Sequence, residues 1–476
     1  MNSTINKRCS NPICGGNGNC AVCPKRGLEQ LDSGAFEAVA EYAVSERDTA
    51  NYDAVKTDSA DGADSSAKNA YAIAIDLGTT TLAFVLVDTI SGQVVHTITM
   101  LNSQRKYGAD VLSRIQASVG GKKDELRACI QKDLCEGIDR LLQDYKASAK
   151  ADTVDRIVIS GNTTMIHLLM GYDCSALGVY PFTPVNTGLI TGTAKEILDY
   201  TRSNMEIETI IFPCISAFVG GDIVSGLYAL DFAKKEDINL FADLGTNGEI
   251  ALGNNKKILV TSVAAGPAFE GGNISCGMGS VAGAICSVDI ECKQETGSCD
   301  VNFKTIHNFV PCGICGTGVI ETVAEFLKNK IIDETGLYRD VFFEAGFELS
   351  EGVVFSQKDI REFQMAKAAL RAGIEILITQ YGVRTEDISK VYLAGGFGFH
   401  LDVKKAVVTG ILPKELADKV EIAGNTALGG MVRFLTDREK IRNVRNILDL
   451  SQEIVLADNG DFNTKYVQGM AFDVDL

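Results

Sequence analysis

The sequence predicts an α/β protein made of two similar lobes with a cleft between them, preceded by a small cysteine-rich segment. Two stretches carry this prediction, AIAIDLGTTTLAFVLVD at residues 72–88 and NLFADLGTNGEIALG at residues 239–253. Each reads as an apolar strand that ends at an aspartate, a turn with glycine and threonine, and a second strand leading away. The order β-β-β-α-β-α that follows the first stretch recurs after Asn239, which indicates a duplicated unit.

The cysteine-rich segment comprises residues 1–27. Cys9, Cys14, Cys20 and Cys23 lie within fifteen residues of one another, interleaved with glycines. Four thiolates in such a segment can surround a small metal centre, because glycine lets backbone N–H groups turn towards sulfur. The spacing of the last three, Cys-x5-Cys-x2-Cys, is similar to the cluster loop of a 2Fe–2S ferredoxin. We expect an iron–sulfur cluster here, and a structural zinc or free thiols are the alternatives.

Residues 28–70 are predicted to form an acidic, flexible linker. After one short helix within residues 27–42, residues 43–68 are rich in Ala, Asp and Ser and have little apolar surface to bury. Such a segment can let a metal centre move between an electron donor and an acceptor, or it can be a plain spacer.

Both repeated turns have the composition of a phosphate-binding loop. Glycine lets the backbone approach an anion, and nearby N–H groups and hydroxyls can donate to phosphate oxygens. The predicted contacts are Gly78, Thr79, Thr80 and Thr81 in the first lobe (residues 71–238) and Gly245, Thr246 and Asn247 in the second lobe (residues 239–476). Asp76 and Asp243 are expected to face each other and to hold a hydrated Mg²⁺, which prefers a few carboxylates together with phosphate. The alternative is that both are ordinary hairpin turns.

A third candidate carboxylate opens a helix near the end of the first lobe. In FPCISAFVGGDIVSGLYAL (residues 212–230), Asp222 follows Gly220 and Gly221 and precedes an apolar run. A carboxylate is electrostatically favourable at a helix N-terminus and can orient an attacking water molecule. The simpler interpretation is that Asp222 only caps the helix. The candidate catalytic residues are therefore Asp76, Asp222 and Asp243.

The second lobe contains a glycine-rich strand exit, KVYLAGGFGFHL at residues 390–401. Gly395, Gly396 and Gly398 permit close approach of the backbone to a ligand, here the adenosine end of a nucleotide. Two shorter segments complete the set, SGNTTM at residues 160–165 and AGNTALGG at residues 423–430. A Walker-type Gly-x4-Gly-Lys-Ser/Thr loop is absent from the sequence, so phosphate must be bound in another way.

These five segments, in this order, resemble the phosphate, connecting and adenosine motifs of the acetate kinase, sugar kinase, heat-shock ATPase and actin superfamily. The resemblance covers the chain from about residue 71 to its end. It implies the two-lobed actin-like ATPase fold with duplicated ribonuclease H-like domains, and it implies ATP with Mg²⁺ in the cleft.

One branch of that superfamily is closer than the others. The runs YGADVLSRI, GNTTM, VGGDIVSG, DLGTNGEIAL, AAGPAFEGGNISCGM, GICGTGVIE, DIREFQMAKAALRAGIEIL and LAGGFG together resemble the reductive activators of corrinoid enzymes. The resemblance implies ATP-driven reduction of a protein-bound corrinoid from Co(II) to Co(I) in a methyltransferase system. It also implies a corrinoid protein partner, a low-potential electron donor and a homodimer. The N-terminus departs from the family, because a short cysteine segment stands in place of the usual ferredoxin domain.

Composition excludes several other classes of protein. The 476 residues carry a formal net charge of −17, so nothing supplies the basic stripe that a nucleic-acid partner needs. No apolar run approaches the roughly 20 residues of a membrane span, and MNSTINKRCS lacks a signal-peptide core. We therefore expect a cytoplasmic protein with no membrane partner, whose fourteen cysteines are not explained by disulfides. A second metal cluster among the cysteines at residues 286–315 is the less favoured alternative to ordinary thiols there.

Two rival functions remain open from the sequence. A small-molecule kinase of the same superfamily needs a second pocket that holds a substrate group in line with the γ-phosphate. The second rival is a nucleotide-gated binding protein whose cysteine segment holds a structural zinc and which is not an enzyme of this pathway. ATP use that depends on a metabolite would indicate the kinase, whereas ATP use stimulated by a corrinoid protein would indicate the activator. Iron and sulfide in anaerobically purified protein would support a redox function, whereas zinc would support the binding protein.

Overall fold

The computed structural model describes residues 71–145, 154–203, 206–245, 247–293, 298–395 and 401–472. Several predicted features lie outside these residues: the linker at residues 28–70, Cys9, Cys14, Cys20, Cys23, Thr246, Gly396 and Gly398.

The N-terminal half of the described chain builds a six-stranded sheet in the order β3-β2-β1-β4-β6-β5. Its elements are β1 (Tyr71–Leu77), β2 (Thr81–Asp88), β3 (Val94–Leu101), α1 (Val111–Ala117), α2 (Lys123–Asp144), β4 (Val154–Gly161), α3 (Thr163–Met170), β5 (Ile190–Thr193), α4 (Ala194–Leu198), β6 (Glu208–Ile211) and α5 (Gly221–Ala229). The first three strands are antiparallel, whereas β1, β4 and β6 run parallel. Nearly every residue of β1 is buried, as expected for a central strand covered on both faces.

The C-terminal half builds a second six-stranded sheet in the order β16-β15-β7-β8-β9-β17. Its elements are β7 (Asn239–Leu244), β8 (Gly248–Gly253), β9 (Ile258–Val263), β10 (Ala284–Cys292), β11 (Cys299–Thr305), β12 (Gly313–Ile314), α6 (Gly316–Lys328), α7 (Asp340–Phe343), β13 (Phe347–Ser350), β14 (Val353–Phe355), α8 (Gln357–Tyr381), β15 (Lys390–Ala394), α9 (Val403–Val408), β16 (Val420–Gly424), α10 (Thr426–Thr436), α11 (Lys440–Leu450), β17 (Ser451–Glu453) and α12 (Phe462–Gln468). Strands β10 to β12 form a separate small sheet, and β13 pairs with β14.

The two large sheets repeat one topology. The series β3-β2-β1-β4-β6 corresponds to β9-β8-β7-β15-β16, with three antiparallel strands followed by two parallel ones in each. The predicted duplication is therefore confirmed. The placement of the lobe boundary at residues 238 and 239 stays a prediction, since α10 belongs to the C-terminal half yet packs on β1 and β4 of the first sheet.

Two helices lie between the sheets and join the lobes. Helices α5 and α10 pack against each other within a core to which both sheets contribute apolar side chains. The Ser225 hydroxyl donates to the Ala427 carbonyl at 2.7 Å. A Cβ added at Gly430 would lie 2.0 Å from the Ser225 carbonyl oxygen, so only glycine permits this close approach of the two helix backbones.

The small sheet of the second lobe contains a disulfide between Cys292 and Cys299. These residues lie opposite each other on the antiparallel strands β10 and β11, with their Cα atoms 4.0 Å apart. The expectation that disulfides play no part is wrong for this pair, because the hairpin register brings the two thiols together. Within the described ranges, no group of three or more His, Cys, Asp or Glu side chains is arranged to hold a metal ion, so a second cluster is not found there.

Among the helices of the described residues, none is both long enough and apolar enough to cross a lipid bilayer.

Candidate functional site

A cavity of about 720 Å³ separates the two lobes and is lined by both repeated turns. Ten residues predicted from the sequence line it: Asp76, Gly78, Thr79, Thr80, Thr81, Asp222, Asp243, Gly245, Asn247 and Gly395. Residues some 320 positions apart in the chain, Asp76 and Gly395, therefore meet at one site, because β1, β7 and β15 end at the same cleft. Thr246, Gly396 and Gly398 adjoin this set in the sequence but lie outside the described residues.

The first turn is held from behind by buried polar side chains. A Cβ at Gly78 would lie 2.4 Å from the Thr81 carbonyl oxygen, so the turn requires glycine. Asn102 Nδ2 donates to the Gly78 carbonyl at 2.9 Å, and Arg114 Nη2 donates to the Thr79 carbonyl at 2.7 Å. With its carbonyl oxygens engaged on the protein side, the turn is fixed before any ligand arrives.

The second turn joins β7 and β8 and is built differently. Gly245 N donates to the Asn247 carbonyl at 3.0 Å, and a Cβ at Gly245 would meet nothing closer than 3.5 Å. The hairpin register places Glu249 directly opposite Asp243. Gly395, at the exit of β15 with a φ of +108°, packs against this turn, since a Cβ there would lie 2.4 Å from the Leu244 carbonyl.

Two asparagines connect helix starts to the cleft. Asn162 caps α3 by accepting from Met165 N at 3.0 Å, and its Nδ2 donates to Thr79 Oγ1 at 3.0 Å. Asn425 caps α10 by accepting from Leu428 N at 2.9 Å, and its Nδ2 donates to Asp76 Oδ2 at 3.1 Å. The segments SGNTTM and AGNTALGG thus occupy equivalent positions, each with one asparagine serving both a helix cap and the cleft.

Four carboxyl groups share the floor of the cleft. Burial raises the pKa of Asp76 to about 6, and burial together with the charge of Asp76 raises the pKa of Asp222 to about 7. Burial and the charges of Asp222, Asp76 and Glu270 raise the pKa of Asp243 to about 8. Burial, assisted by Asp222 and Asp243, raises the pKa of Glu249 well above its usual value. Such a set stays ionised at neutral pH only when a cation compensates it.

Asp222 does not cap its helix. The residue at the cap of α5 is Gly220, and Asp222 lies in the first turn with its Oδ1 accepting from Ile223 N at 2.9 Å. The simple capping interpretation is therefore wrong, and the carboxylate lines the cleft near Asp76 and Asp243.

The cleft has the donor set that a hydrated divalent cation requires. Carboxylate oxygens of Asp76, Asp222 and Asp243 project into a cavity large enough for a nucleotide and bound water. Within the described chain no three such groups converge closely enough to hold an ion by themselves. This arrangement suits Mg²⁺, which keeps most of its waters and takes phosphate oxygens as further ligands.

Some residues of the cleft are not predicted from the sequence. Glu249, Glu270 and Lys304 line the cavity, and Asn102 and Arg114 support the first turn from behind it. Hairpin register gives a signal for Glu249, which must oppose Asp243 once the turn is recognised. Lys304 is the one Lys or Arg among the described residues that line the cavity, and nothing in its exposed strand β11 marks it out.

The fold and the twin turns define an ATPase of the actin-like class. Two family descriptions match nearly all of the described chain: "RACo middle region" matches residues 71–235, and "C-terminal domain of RACo the ASKHA domain" matches residues 237–475. The predicted two-lobed actin-like fold is thereby confirmed.

Individual relatives agree with these matches. The chain is 31% identical over 438 residues to the corrinoid activation enzyme RamQ of Eubacterium limosum, covering 85% of this chain and 71% of the relative. It is 27% identical over 432 residues to the Co(II) methylated amine-specific corrinoid protein reductase of Methanosarcina barkeri, covering 84% and 77%. A solved structure, the reductive activator for a corrinoid, iron–sulfur protein, matches with a TM-score of 0.77 and 31% identity, over 86% of this chain and 67% of that one. The chain belongs to the RACo family, the reductive activators of corrinoid enzymes to which the sequence motifs point.

Proposed function

We propose that this protein is an ATP-hydrolysing electron-transfer activator that returns the cobalt of a protein-bound corrinoid from Co(II) to Co(I) in a methyltransferase system. The family match supports this proposal, since the relatives carry names of corrinoid activation and corrinoid protein reduction. The observation that carries it in this chain is the cleft itself, where two phosphate-type turns face a set of buried carboxylates.

ATP is proposed to bind with its phosphates between the two turns. Backbone N–H groups and hydroxyls of residues 78–81 donate to phosphate oxygens from the first lobe, and the turn at residues 245–247 does so from the second. Asp76 and Asp243 would hold Mg²⁺ through its waters, and the ion would neutralise phosphate charge when bound. Gly395, Gly396 and Gly398 are proposed to permit close approach of the adenosine end.

Asp222 is proposed to orient the water that attacks the γ-phosphate. Its carboxylate lines the cleft from the first turn of α5, where burial and the charge of Asp76 raise its pKa to about 7. A carboxylate with a pKa near neutral can accept a proton from water as the phosphate bond breaks. The products are ADP and phosphate.

Hydrolysis is proposed to reach the corrinoid partner through the lobes. Helices α5 and α10 begin at the cleft and cross between the sheets, so a change at the phosphates can move one lobe against the other. Cys9, Cys14, Cys20 and Cys23 lie outside the described residues; an iron–sulfur cluster bound there would supply one-electron chemistry. A low-potential electron donor and a homodimer remain predictions of the resemblance.

An anaerobic assay tests the proposal directly. The full chain, MgATP, a strong artificial reductant and a corrinoid protein are mixed, and the Co(I) absorbance band is followed. We expect Co(I) to accumulate only when ATP is present, with ATP hydrolysis stimulated by the corrinoid protein. Asp243→Ala should remove ATP turnover by at least about a hundredfold, because a ligand of the metal–phosphate complex is lost.

Three results would contradict the proposal. Stimulation of ATP use by a small metabolite instead of the corrinoid protein would favour a kinase. Full ATP turnover by Asp243→Ala would show that the phosphate site lies elsewhere. Co(I) formation that does not need ATP would separate the cleft from the redox reaction. Asp300→Asn, an exposed carboxylate on β11 away from the cleft, is the matched control and should behave as the unmodified chain.

A further inference from the structure

The first lobe contains a fully buried positive charge directly behind its phosphate turn. Arg114, on α1, is 0% exposed and does not line the cavity. Arginine is almost never fully buried unless it is paired with an anion. No carboxylate of the described residues lies within ion-pair distance of its guanidinium, and Asp110, whose charge acts on it, caps α1 by binding Ser113 N instead.

All the hydrogen-bond partners of Arg114 are neutral. Its Nη2 donates to the Thr79 carbonyl at 2.7 Å and its Nε donates to the Gly108 carbonyl at 3.0 Å. Its Nη1 lies 3.5 Å from Gln104 Oε1 and 3.2 Å from Met165 Sδ. The guanidinium is therefore solvated by dipoles, and no carboxylate of the described residues forms an ion pair with it.

This arrangement carries a cost in the free protein. Transfer of an uncompensated charge from water to a protein interior is unfavourable, and burial lowers the pKa of Arg114 to about 10, still far above neutral pH. The positive charge therefore persists, one peptide group away from the face of the turn that lines the cleft. A polyanion in the cleft lowers this cost, because the intervening protein screens the two charges weakly.

Resting on the proposed function, we propose that Arg114 is a positioning residue that fixes the first turn through Thr79 and attracts the triphosphate through the protein without touching it. The side chain thus does for the first lobe what a lysine in a phosphate loop does by direct contact. Its contribution should grow with the number of phosphates on the ligand and be absent for adenosine.

Calorimetric titration of the full chain with MgATP, MgADP and adenosine tests this inference. Arg114→Met should weaken MgATP at least about tenfold, MgADP by less, and adenosine not at all. Arg114→Lys keeps the charge and should lose only part of the MgATP affinity. Arg127→Met, which removes a half-buried arginine that donates to the Leu169 carbonyl instead, is the matched control and should bind all three ligands normally.

A second variant protects the test against misfolding of Arg114→Met. Gln104→Glu places a carboxylate at the position now 3.5 Å from Nη1 and neutralises the charge while keeping the guanidinium. It should reproduce the same graded loss, larger for MgATP than for MgADP. Equal losses for MgATP and adenosine, or no loss of MgATP, would overturn the inference and indicate a purely structural arginine. Failure of the unmodified chain to bind MgATP would instead overturn the proposed function itself.

Discussion

The two turns of the cleft share their sequence pattern but are stabilised in different ways. At the first turn, Gly78 is sterically required and buried side chains from residues 102–114 hold its carbonyl groups. At the second turn, Gly245 has space around it, and two acidic residues, Asp243 and Glu249, oppose each other across the hairpin. The first turn is therefore preformed, whereas the second is under electrostatic load until a cation arrives. The two lobes therefore repeat the turn but support it with different neighbouring residues.

The two turns should differ most in how well they tolerate a side chain at their glycine. Gly78→Ala should lower the free energy of unfolding by about 3 kcal/mol, because the new Cβ meets the Thr81 carbonyl, a backbone atom that cannot move aside. Gly245→Ala should change it by no more than about 0.5 kcal/mol. Urea denaturation of both variants measures the difference. Equal destabilisation would show that the two turns are under the same steric constraint.

The electrostatic load of the cleft carboxyl groups, whose pKa values are raised further at Asp243 beside the second turn than at Asp76 or Asp222, should appear as a dependence of stability on pH. Asp76, Asp222 and Asp243 have pKa values of about 6, 7 and 8 in the folded protein against an ordinary value of 3.8. The folded state thus binds more protons than the unfolded state between pH 4 and 8, so the free energy of unfolding should fall as pH rises through this window. Thermal unfolding without divalent cations measures this fall.

Two additions isolate the carboxyl groups as its cause. MgADP should reduce the fall, since a bound cation favours the ionised forms. Asp243→Asn should also reduce it by removing one of the titrating groups. A stability profile that is flat from pH 5 to 8 in the unmodified chain would contradict the assignment of this load.

A weaker effect is expected at Lys304, the one Lys or Arg that lines the cavity within the described ranges. Lys304→Met should weaken MgATP binding by about threefold, because an exposed lysine contributes a modest, salt-dependent attraction to phosphate. Lys293→Met, on the same hairpin but paired with Asp300 at 3.1 Å, should leave binding unchanged. Titrations at low and high salt compare the two variants. An equal effect of both would indicate only a general loss of positive charge.

The sequence predicts those parts of the site that depend on local pattern. Asp76 and Asp243 end apolar strands before glycine turns, and the repeat of that pattern predicts both the duplication and the cleft. Asn162 and Asn425 belong to two of the five segments whose order resembles the superfamily motifs. Their second role, a hydrogen bond to Thr79 or Asp76 in the cleft, is visible only in the three-dimensional structure. These residues can be predicted from the sequence because the pattern that identifies each of them is formed by adjacent residues in the chain.

Arg114 could not be predicted in the same way. In YGADVLSRI it occupies a helix, where an arginine ordinarily lies on the surface. Its hydrogen-bond partners Thr79, Gly108 and Met165 lie in separate parts of the first lobe. No pattern in the neighbouring sequence indicates that this arginine is buried. The Cys292–Cys299 disulfide is a similar case, since pairing depends on hairpin register and not on the number of cysteines.

The contact between Gly430 and Ser225 lies where a hinge between the two lobes would be expected. The two helix backbones approach each other closely there, because Gly430 has no side chain to separate it from Ser225. A rotation of one lobe against the other about this contact would separate few buried atoms. For a given rotation of the lobes, their outer edges move farthest. A protein bound across both edges would therefore experience a change in the distance between them.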